Sequence, residues 1–458
     1  MITSERLLKM NLYKYQQEAI DFLNEFPQRG ICGDDMGLGK TRTALMLAEQ
    51  NNYKSVLIVC PKTVQLSWRN EIRKVFNNDD FTISPDKASL RKKEFEENKR
   101  FFICNYAILR VEDFGIFSRK WDLVIFDEAH RLKNRKAQIS KKAKLLKAKK
   151  VLLLSGTPMQ NHPSEIWHLL HLLDRKNFKS YWKFIEKHFN TQVNYFSGFN
   201  EPTTIKNIEE FQKEIFKYMI KRSKEDVKIQ LPKKIYSTIP VKLEQKHQKI
   251  YKDLIKNLQL FNDNNEEVLR IENQITLYTN LRRLVLFPEF YGINIISEKI
   301  KALLEILEDS NEKFVIFTWH KSFSKYLHKL LNSNKIESEL ICGDNSSEER
   351  IISQEKFSTN EKTKCLVLTI ATGCEGLNLQ SANNLIFMEK AWNPAMNEQA
   401  ENRIHRIGQE KVCTIYDIVA EETIEEKIIQ TLSKKTIIIS EALFIKEIMN
   451  DLIEGRNL

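Results

Sequence analysis

Short apolar runs recur along the chain, separated by longer stretches of mixed apolar and polar residues. One series is Ser55–Cys60, Arg100–Asn105, Leu123–Phe126 and Val151–Leu154. A second is Lys313–Thr318, Lys364–Thr369, Asn384–Met388 and Val412–Asp417. Near-continuous apolar runs of strand length predict strands buried on both faces, as in a parallel sheet covered by helices. Two such series, with helical stretches between the runs, predict an α/β chain with two lobes. Between them, over about residues 162–298, the pattern changes. Glu165–Leu173, Tyr181–Phe189, Ile208–Ile220 and Gln245–Leu260 have helical spacing with many lysines and aromatics. Asn190–Thr204 has turn residues and little periodicity, Leu231–Lys234 reads as a linker, and Ile424–Leu443 reads as helical. No repeat, low-complexity tail or strong coiled coil is present.

At 458 residues the chain is long enough for two or three domains of ~100–200 residues each. A formal charge of +11 favours a polyanionic partner, although a solvated lysine-rich surface gives the same balance. The seven cysteines are far apart and include no C-x-x-C pair, which argues against zinc ribbons and dithiol redox chemistry. They fit reduced core cysteines in a cytosolic protein. The apolar runs are too short to cross a bilayer, and the first residues, Met1–Arg6, lack the apolar segment of a secretory signal.

The segment Asp34-Asp35-Met36-Gly37-Leu38-Gly39-Lys40-Thr41 follows the apolar Ile31-Cys32 and precedes a helix over Arg42–Glu49. Its glycines let the backbone turn so that N–H groups meet phosphate oxygens at a helix N-terminus. Lys40 would then pair with the β- and γ-phosphates, and Thr41 would hold Mg²⁺. The strict form of this loop begins with glycine where Asp34 stands. A second site follows the run Leu123–Phe126, which ends in Asp127-Glu128-Ala129-His130. A carboxylate at a strand end can hold Mg²⁺, and its neighbour can polarise the attacking water. Asp127 is therefore the candidate metal residue and Glu128 the candidate base, with His130 linking nucleotide state to a neighbouring motif.

With these motifs in place, the chain resembles, over nearly all its length, the Swi/Snf-type ATPases of helicase superfamily two. Leu12–Gln16 resembles the adenine-reading segment, with Gln16 as the base contact. Asp35–Thr41 is similar to the family's phosphate loop, with Asp35 where glutamate is usual. Val59–Thr63 with Trp68 resembles motif Ia, which faces DNA and offers Lys62 and Thr63. Leu154–Asn161 resembles motif III, whose Ser155, Gly156 and Thr157 would couple ATP state to DNA. Gly373–Leu379 resembles motif V, with Cys374 at a position usually glycine; Thr369 and Gly373 would lie near DNA. Trp392-Asn393-Pro394 also matches, with Trp392 either a DNA-tracking residue or a buried structural one. Gln399–Gln409 is close to motif VI. There Gln399 would couple the lobes, while Arg403 and Arg406, three apart, would share a helix face and grip the γ-phosphate as arginine fingers. Lys221–Val227 and Leu231–Lys233 resemble the inter-lobe connector.

The resemblance implies two tandem RecA-like lobes with helical protrusions. Lobe 1 spans 1–225 and includes a protrusion at about 162–220. A connector and second protrusion cover 226–298, lobe 2 covers 299–435, and a helical tail 436–458. It implies ATP and Mg²⁺ as cofactors and double-stranded DNA, whether plain, forked or branched, as partner. The basic stretch Arg131–Lys150, with Asn134 and Arg135, is a candidate DNA surface or else a solvated helix face. The string Lys176–Lys187 either packs within a protrusion or touches DNA. The expected function is a sequence-nonspecific, ATP-driven double-stranded DNA motor. Its rivals are a strand-separating helicase, the motor subunit of a restriction or defence complex with partners supplying targeting or nuclease activity, and a non-catalytic nucleotide-gated DNA-binding module.

Overall fold

The computed structural model describes residues 12–434, apart from 26–28, 86, 111–113, 160–161, 194–199, 225, 228–230, 374–376 and 407. The chain divides into two compact units, residues 1–230 and 231–458.

The first unit holds the strands β1 (Arg29–Cys32), β2 (Val56–Cys60), β3 (Phe81–Ile83), β4 (Phe101–Asn105), β5 (Lys120–Asp127) and β6 (Lys147–Leu154). It also holds a hairpin of β7 (Phe189–Val193) and β8 (Asn200–Ile205), and a short β9 (Met219–Ile220). Seven of these form one parallel sheet in the order β3-β4-β2-β5-β6-β1-β9. Every residue of β2 is buried. Its Leu57 and Val59 enter one apolar cluster, while Val56, Ile58 and Cys60 enter the other. The period-two alternation of side chains feeds both faces of the sheet, which is why the run reads as continuously apolar. One face packs on the helices Lys14–Glu25, Lys40–Gln50 and Gln65–Phe76; the other packs on the helical protrusion, through Ile166, Leu170, Phe184 and Phe211.

The second unit holds β10 (Lys234–Val241), a hairpin of β11 (Gln259–Phe261) and β12 (Glu267–Arg270), and β13 (Phe314–Thr318), β14 (Ser338–Ile341), β15 (Cys365–Thr369), β16 (Asn384–Phe387) and β17 (Cys413–Ala420). Its six-stranded parallel sheet has the order β10-β17-β16-β13-β15-β14. The helices Gln245–Asn257, Gln274–Leu286 and Ile424–Lys434 share a separate apolar cluster beside this sheet. Each unit is thus a parallel α/β lobe, and the two-lobe RecA-like expectation holds.

Several boundaries differ from the sequence pattern. The helix expected over Ile208–Ile220 ends at Ile215, because the residues beyond it bond to β1: Ile31 N donates to Tyr218 O and Gly33 N to Ile220 O. Gln245–Leu260 stops at Asn257, where Leu258 takes a left-handed cap at φ 58° and β11 begins. Asn190–Thr204 is largely the β7–β8 hairpin, with 194–199 outside the described residues. Lys234, placed in a linker, opens β10 instead, paired in parallel with β17. Residues 435–458, which include the expected tail and the end of the Ile424–Leu443 helix, lie outside the described residues. Six cysteines are buried and none of them forms a disulfide; Cys374 is outside the described residues.

Candidate nucleotide site

The three motifs of the first unit leave the C-terminal ends of β1, β5 and β6, which are neighbours in the sheet. Open parallel sheets bind ligands outside such strand ends. After β1 the chain enters the phosphate loop, with Gly37 at φ 90° and Gly39 at φ 77°; any other L residue at either position would be strained. Gly39 caps the eleven-residue helix Lys40–Gln50 without any side-chain hydrogen bond to the first N–H groups. Those donors and the helix dipole are what a phosphate takes. The Lys40 ammonium donates to the Asp34 and Asp35 carbonyl oxygens at 2.6 and 3.1 Å, and it has no carboxylate partner among the described contacts.

The loop is braced from both sides. Tyr15 Oη and Gln16 Nε2 both donate to Leu38 O, at 3.0 and 3.1 Å. Gln16 is buried and also accepts from Tyr13 N, and a Cβ on Gly39 would come within 2.5 Å of its Nε2. Gln16, read as a base contact, thus holds the loop itself. On the other side, the buried Asp34 carboxylate takes two bonds from Arg222, Nε to Oδ1 at 3.1 Å and Nη2 to Oδ2 at 2.6 Å. Asp34 fills the position where the strict loop has glycine, and its structural partner explains that departure. Lys224 N donates to Asp35 Oδ2 at 3.3 Å.

At the end of β5, Tyr106 Oη donates to Asp127 O at 2.7 Å, and Glu128 follows in a left-handed conformation at φ 52°, ψ 50°. A non-glycine residue held there stores backbone strain, a feature that concentrates at functional sites. Trp68 Nε1 donates to Asp127 Oδ2 at 2.8 Å. Burial, and next the Glu128 carboxylate, push the Asp127 carboxyl above its ordinary range; the Trp68 bond and the Lys40 ammonium pull it back only in part. Two adjacent acids with insufficient positive charge form a cation-seeking pair. Together with the uncapped helix start, this makes the residues present a fit for a Mg²⁺–nucleotide, which the Thr41 hydroxyl and Asp127 would hold. Among the described residues no cluster of three or more His, Cys, Asp or Glu side chains could bind a metal. A magnesium ion here would therefore take most of its ligands from phosphate and water.

Of the residues expected to couple nucleotide state to DNA, those of the first unit lie together. His130 Nδ1 lies 3.2 Å from Ser155 Oγ and 3.3 Å from Glu128 Oε2. Ser155 Oγ accepts from Thr157 N at 3.3 Å, and Ser155 N donates to Cys32 O beside the loop. A Cβ on Gly156 would crowd Met36 Cγ at 3.1 Å and come into van der Waals contact with Lys40 Nζ at 3.5 Å, so this glycine packs directly against the loop and its lysine. Gln160 and Asn161 lie outside the described residues.

In the second unit, the helix Pro394–Glu401 carries Gln399, which is buried, and ends before Arg403. The reading that Arg403 and Arg406 share a helix face is therefore corrected. The Arg403 carbonyl accepts from Leu379 N and so leaves the helical ladder, and the two arginines stand in a run of turns closed by Gly408 at φ 99°. Gln409 pins this run, donating to the carbonyls of Gln380, Ala382 and Ile404. Thr369 and Gly373 are buried, and a side chain on Gly373 would run into the Phe317 ring. Trp392 packs on the helical cluster of this unit. Cys374, Glu375 and Gly376 lie outside the described residues.

Among the other DNA candidates, Lys62 and Asn134 are exposed, and Thr63 and Arg135 half-buried. Trp68, grouped with the DNA-facing motif, is fully buried against Asp127. The basic stretch Arg131–Lys150 is not one helical face. Its only α-helix is Gln138–Ala143, Lys147–Lys150 belong to β6, Lys149 pairs with Asp122, and Lys150 is buried. Tyr15, Trp68, Tyr106 and Arg222 brace the site, and sequence reasoning assigned none of them that role.

The chain matches the SNF2-related domain over residues 15–289 and the helicase conserved C-terminal domain over 298–408. It is 29% identical over 451 residues to an uncharacterized ATP-dependent helicase of Mycoplasma genitalium, covering 94% of this chain and 42% of that protein. It is 29% identical over 463 residues to the ISWI chromatin-remodeling complex ATPase CHR17 of Arabidopsis thaliana, covering 95% of this chain and 42% of that protein. The chain therefore spans about two fifths of the length of these relatives. Among solved structures, a Sulfolobus solfataricus SWI2/SNF2 ATPase core in complex with dsDNA is 28% identical with a TM-score of 0.45, covering 95% of this chain and 92% of that one.

Proposed function

The chain belongs to the SNF2-related family, and from that premise we propose that it hydrolyses ATP and uses the energy to move along double-stranded DNA without reading sequence. One observation carries the reading most: Lys40, the Asp127–Glu128 pair and the His130–Ser155 contact converge at three adjacent strand ends of one lobe.

In this reading Lys40 and the N–H groups of the loop hold the β- and γ-phosphates. Thr41 and Asp127 would hold Mg²⁺, which when bound would supply positive charge to the phosphates. Glu128 takes the proton of a water that attacks the γ-phosphorus in line, and the bond to the bridging oxygen breaks to leave ADP and phosphate. Arg403 and Arg406 from the second lobe stabilise the charge that develops on the transferred group, a role worth ~10³–10⁵ in rate where arginine fingers act. His130 and Ser155 pass the state of the site to the motif III loop. DNA is gripped through its backbone by basic residues, including the exposed Lys62 and the half-buried Arg135, which positions the motor without specifying sequence.

ATPase rates with and without duplex DNA test the proposal, run beside a triplex-displacement assay. Lys40→Ala is expected to abolish duplex-stimulated turnover and displacement together, and Arg403→Ala to lower turnover at least ~10²-fold while ATP still binds. Wild-type turnover in Lys40→Ala would sink the site assignment. The rival reading is a strand-separating helicase. Displacement on a forked duplex, compared with the triplex, distinguishes the two.

A further inference from the structure

We propose that Trp182, with Tyr181 and Arg135, forms a stacking platform on the first lobe for an unpaired base of single-stranded nucleic acid. The proposal rests on the nucleic-acid reading above for its partner class and adds a second mode of contact to it.

The platform is built in layers. Trp167 is buried and stacks on His171, with ring centroids 4.8 Å apart and planes at 25°. Tyr181 packs edge-on against Trp167 at 5.4 Å, and Trp182 packs edge-on against Tyr181 at 5.2 Å. The Arg135 guanidinium lies 4.1 Å from the Tyr181 ring centroid and 5.9 Å from that of Trp182. Arg135 comes from the connection just after the Asp127–His130 box, so the platform is tied to the nucleotide site by a short piece of chain. The inner rings are fixed, yet Trp182 keeps 49% of its surface exposed. A large flat ring packed edge-on against a neighbour and half exposed is what a nucleobase stacks on.

The surroundings are cationic. Lys144 is pulled below its ordinary range by burial and then by the nearby charges of Arg175 and Arg135. Burial, then Lys144, hold the His168 imidazole down at about 3. Lys183 is exposed beside Trp182 on the same helix, Tyr181–His188. That helix also exposes Glu186, one turn on, so the patch is not purely positive; the cations still outnumber it. Excess positive charge around an open aromatic ring favours a polyanion that carries flat rings of its own. A paired duplex offers only base edges in its grooves, with the ring faces hidden, so the platform discriminates for unpaired strands.

The test measures binding of the full chain, without ATP, to a labelled oligothymidylate of about 12 nucleotides and to a blunt duplex. Trp182→Ala is expected to weaken single-strand binding at least ~5-fold with an unchanged salt slope, because stacking releases no counterions. Trp182→Phe should retain most of the affinity, and duplex binding by Trp182→Ala should move less than ~2-fold. Arg135→Ala should weaken single-strand binding and lower its salt slope by about one. Wild-type single-strand affinity in Trp182→Ala would overturn the platform, as would a parallel loss on single strand and duplex. A wild-type chain that binds duplex but not oligothymidylate overturns the platform alone. One that binds neither overturns the nucleic-acid reading itself.

Discussion

Arg222 and Asp34, 188 residues apart, form a two-bonded ion pair that ties the end of the first lobe to the start of its phosphate loop. The main chain joins in: Arg222 N donates to Asp34 Oδ1 at 3.1 Å, and Arg222 Nη1 donates to Tyr15 O at 2.5 Å. Asp34 also offers its carbonyl to Lys40. One residue therefore links the segment leading out of the lobe to the lysine expected to meet phosphate. A shift of that segment would be felt at Lys40 through Asp34.

Breaking this pair from one side is expected to be worse than removing it. Arg222→Ala would leave the Asp34 carboxylate, 2% exposed, without its guanidinium, at a cost of about 3–5 kcal/mol in urea unfolding. Asp34→Gly, which restores the strict loop, combined with Arg222→Met should recover most of that loss. Strict additivity of the two single effects in a double-mutant cycle would show that the pair is not energetically coupled.

Trp68→Phe keeps the buried ring but deletes the donor to Asp127 Oδ2. Residues that orient a metal-bound carboxylate typically contribute ~10–100-fold to metal affinity, so half-saturating Mg²⁺ in the ATPase assay should rise about tenfold. The fold should lose roughly 1–3 kcal/mol from the unpaired carboxylate oxygen and the smaller ring. An unchanged Mg²⁺ requirement would show that Asp127 does not hold the ion through the oxygen that Trp68 orients.

What the sequence revealed follows from how locally each feature is encoded. The β2, β4, β13 and β15 strands were legible because they are apolar on both faces. β10 was not: it lies at a sheet edge, exposes Ile235 and Tyr236, and contains Pro240, so it lacks the signature of a buried strand. Lys40, Asp127 and Glu128 were legible because each belongs to a short motif beside a strand end: Asp127 closes β5, Glu128 follows it, and Lys40 opens the helix after the loop that leaves β1. Arg222 and Trp68 could not, because their roles depend on partners brought near only by the fold. The same limit explains the arginine error. Helical spacing joined Arg403 to Arg406, but a bond from Leu379, distant in sequence, draws the Arg403 carbonyl out of the helix.

Ser155 tests coupling separately from chemistry. Ser155→Ala removes the oxygen 3.2 Å from His130 Nδ1 but leaves Lys40, Asp127 and Glu128 in place. A hydrogen bond of ~0.5–1.5 kcal/mol that differs between nucleotide states would bias the coupling about 2–10-fold. Duplex stimulation of ATPase and triplex displacement should therefore fall by that factor, while turnover without DNA falls less. If all three fell equally, Ser155 would belong to the hydrolytic step and not to coupling.

Lys150 gives a test with a defined pH signature. Its side chain is 1% exposed, its ammonium donates to Leu23 O at 2.8 Å, and burial pulls it down to about 8. The unfolded chain, at an ordinary lysine value of ~10.4, holds that proton up to higher pH than the folded chain does. Between the two values the unfolded state binds more protons, so this group makes the fold more stable as pH rises from about 8 to ~10.4. Below about 8 both states are charged, and the folded one carries the full burden of a buried ammonium, roughly 3 kcal/mol at one pKa unit per 1.36 kcal/mol. Lys150→Met fills similar volume without the charge and gives up one hydrogen bond of ~1 kcal/mol. The variant should therefore be about 1–2 kcal/mol more stable than the wild type at pH 7, with the gap closing as pH approaches 10. Urea unfolding of both proteins across that range checks it. A gap that stayed constant with pH would mean that Lys150 keeps its proton equally well in both states, and that the bond to Leu23 O compensates for its burial.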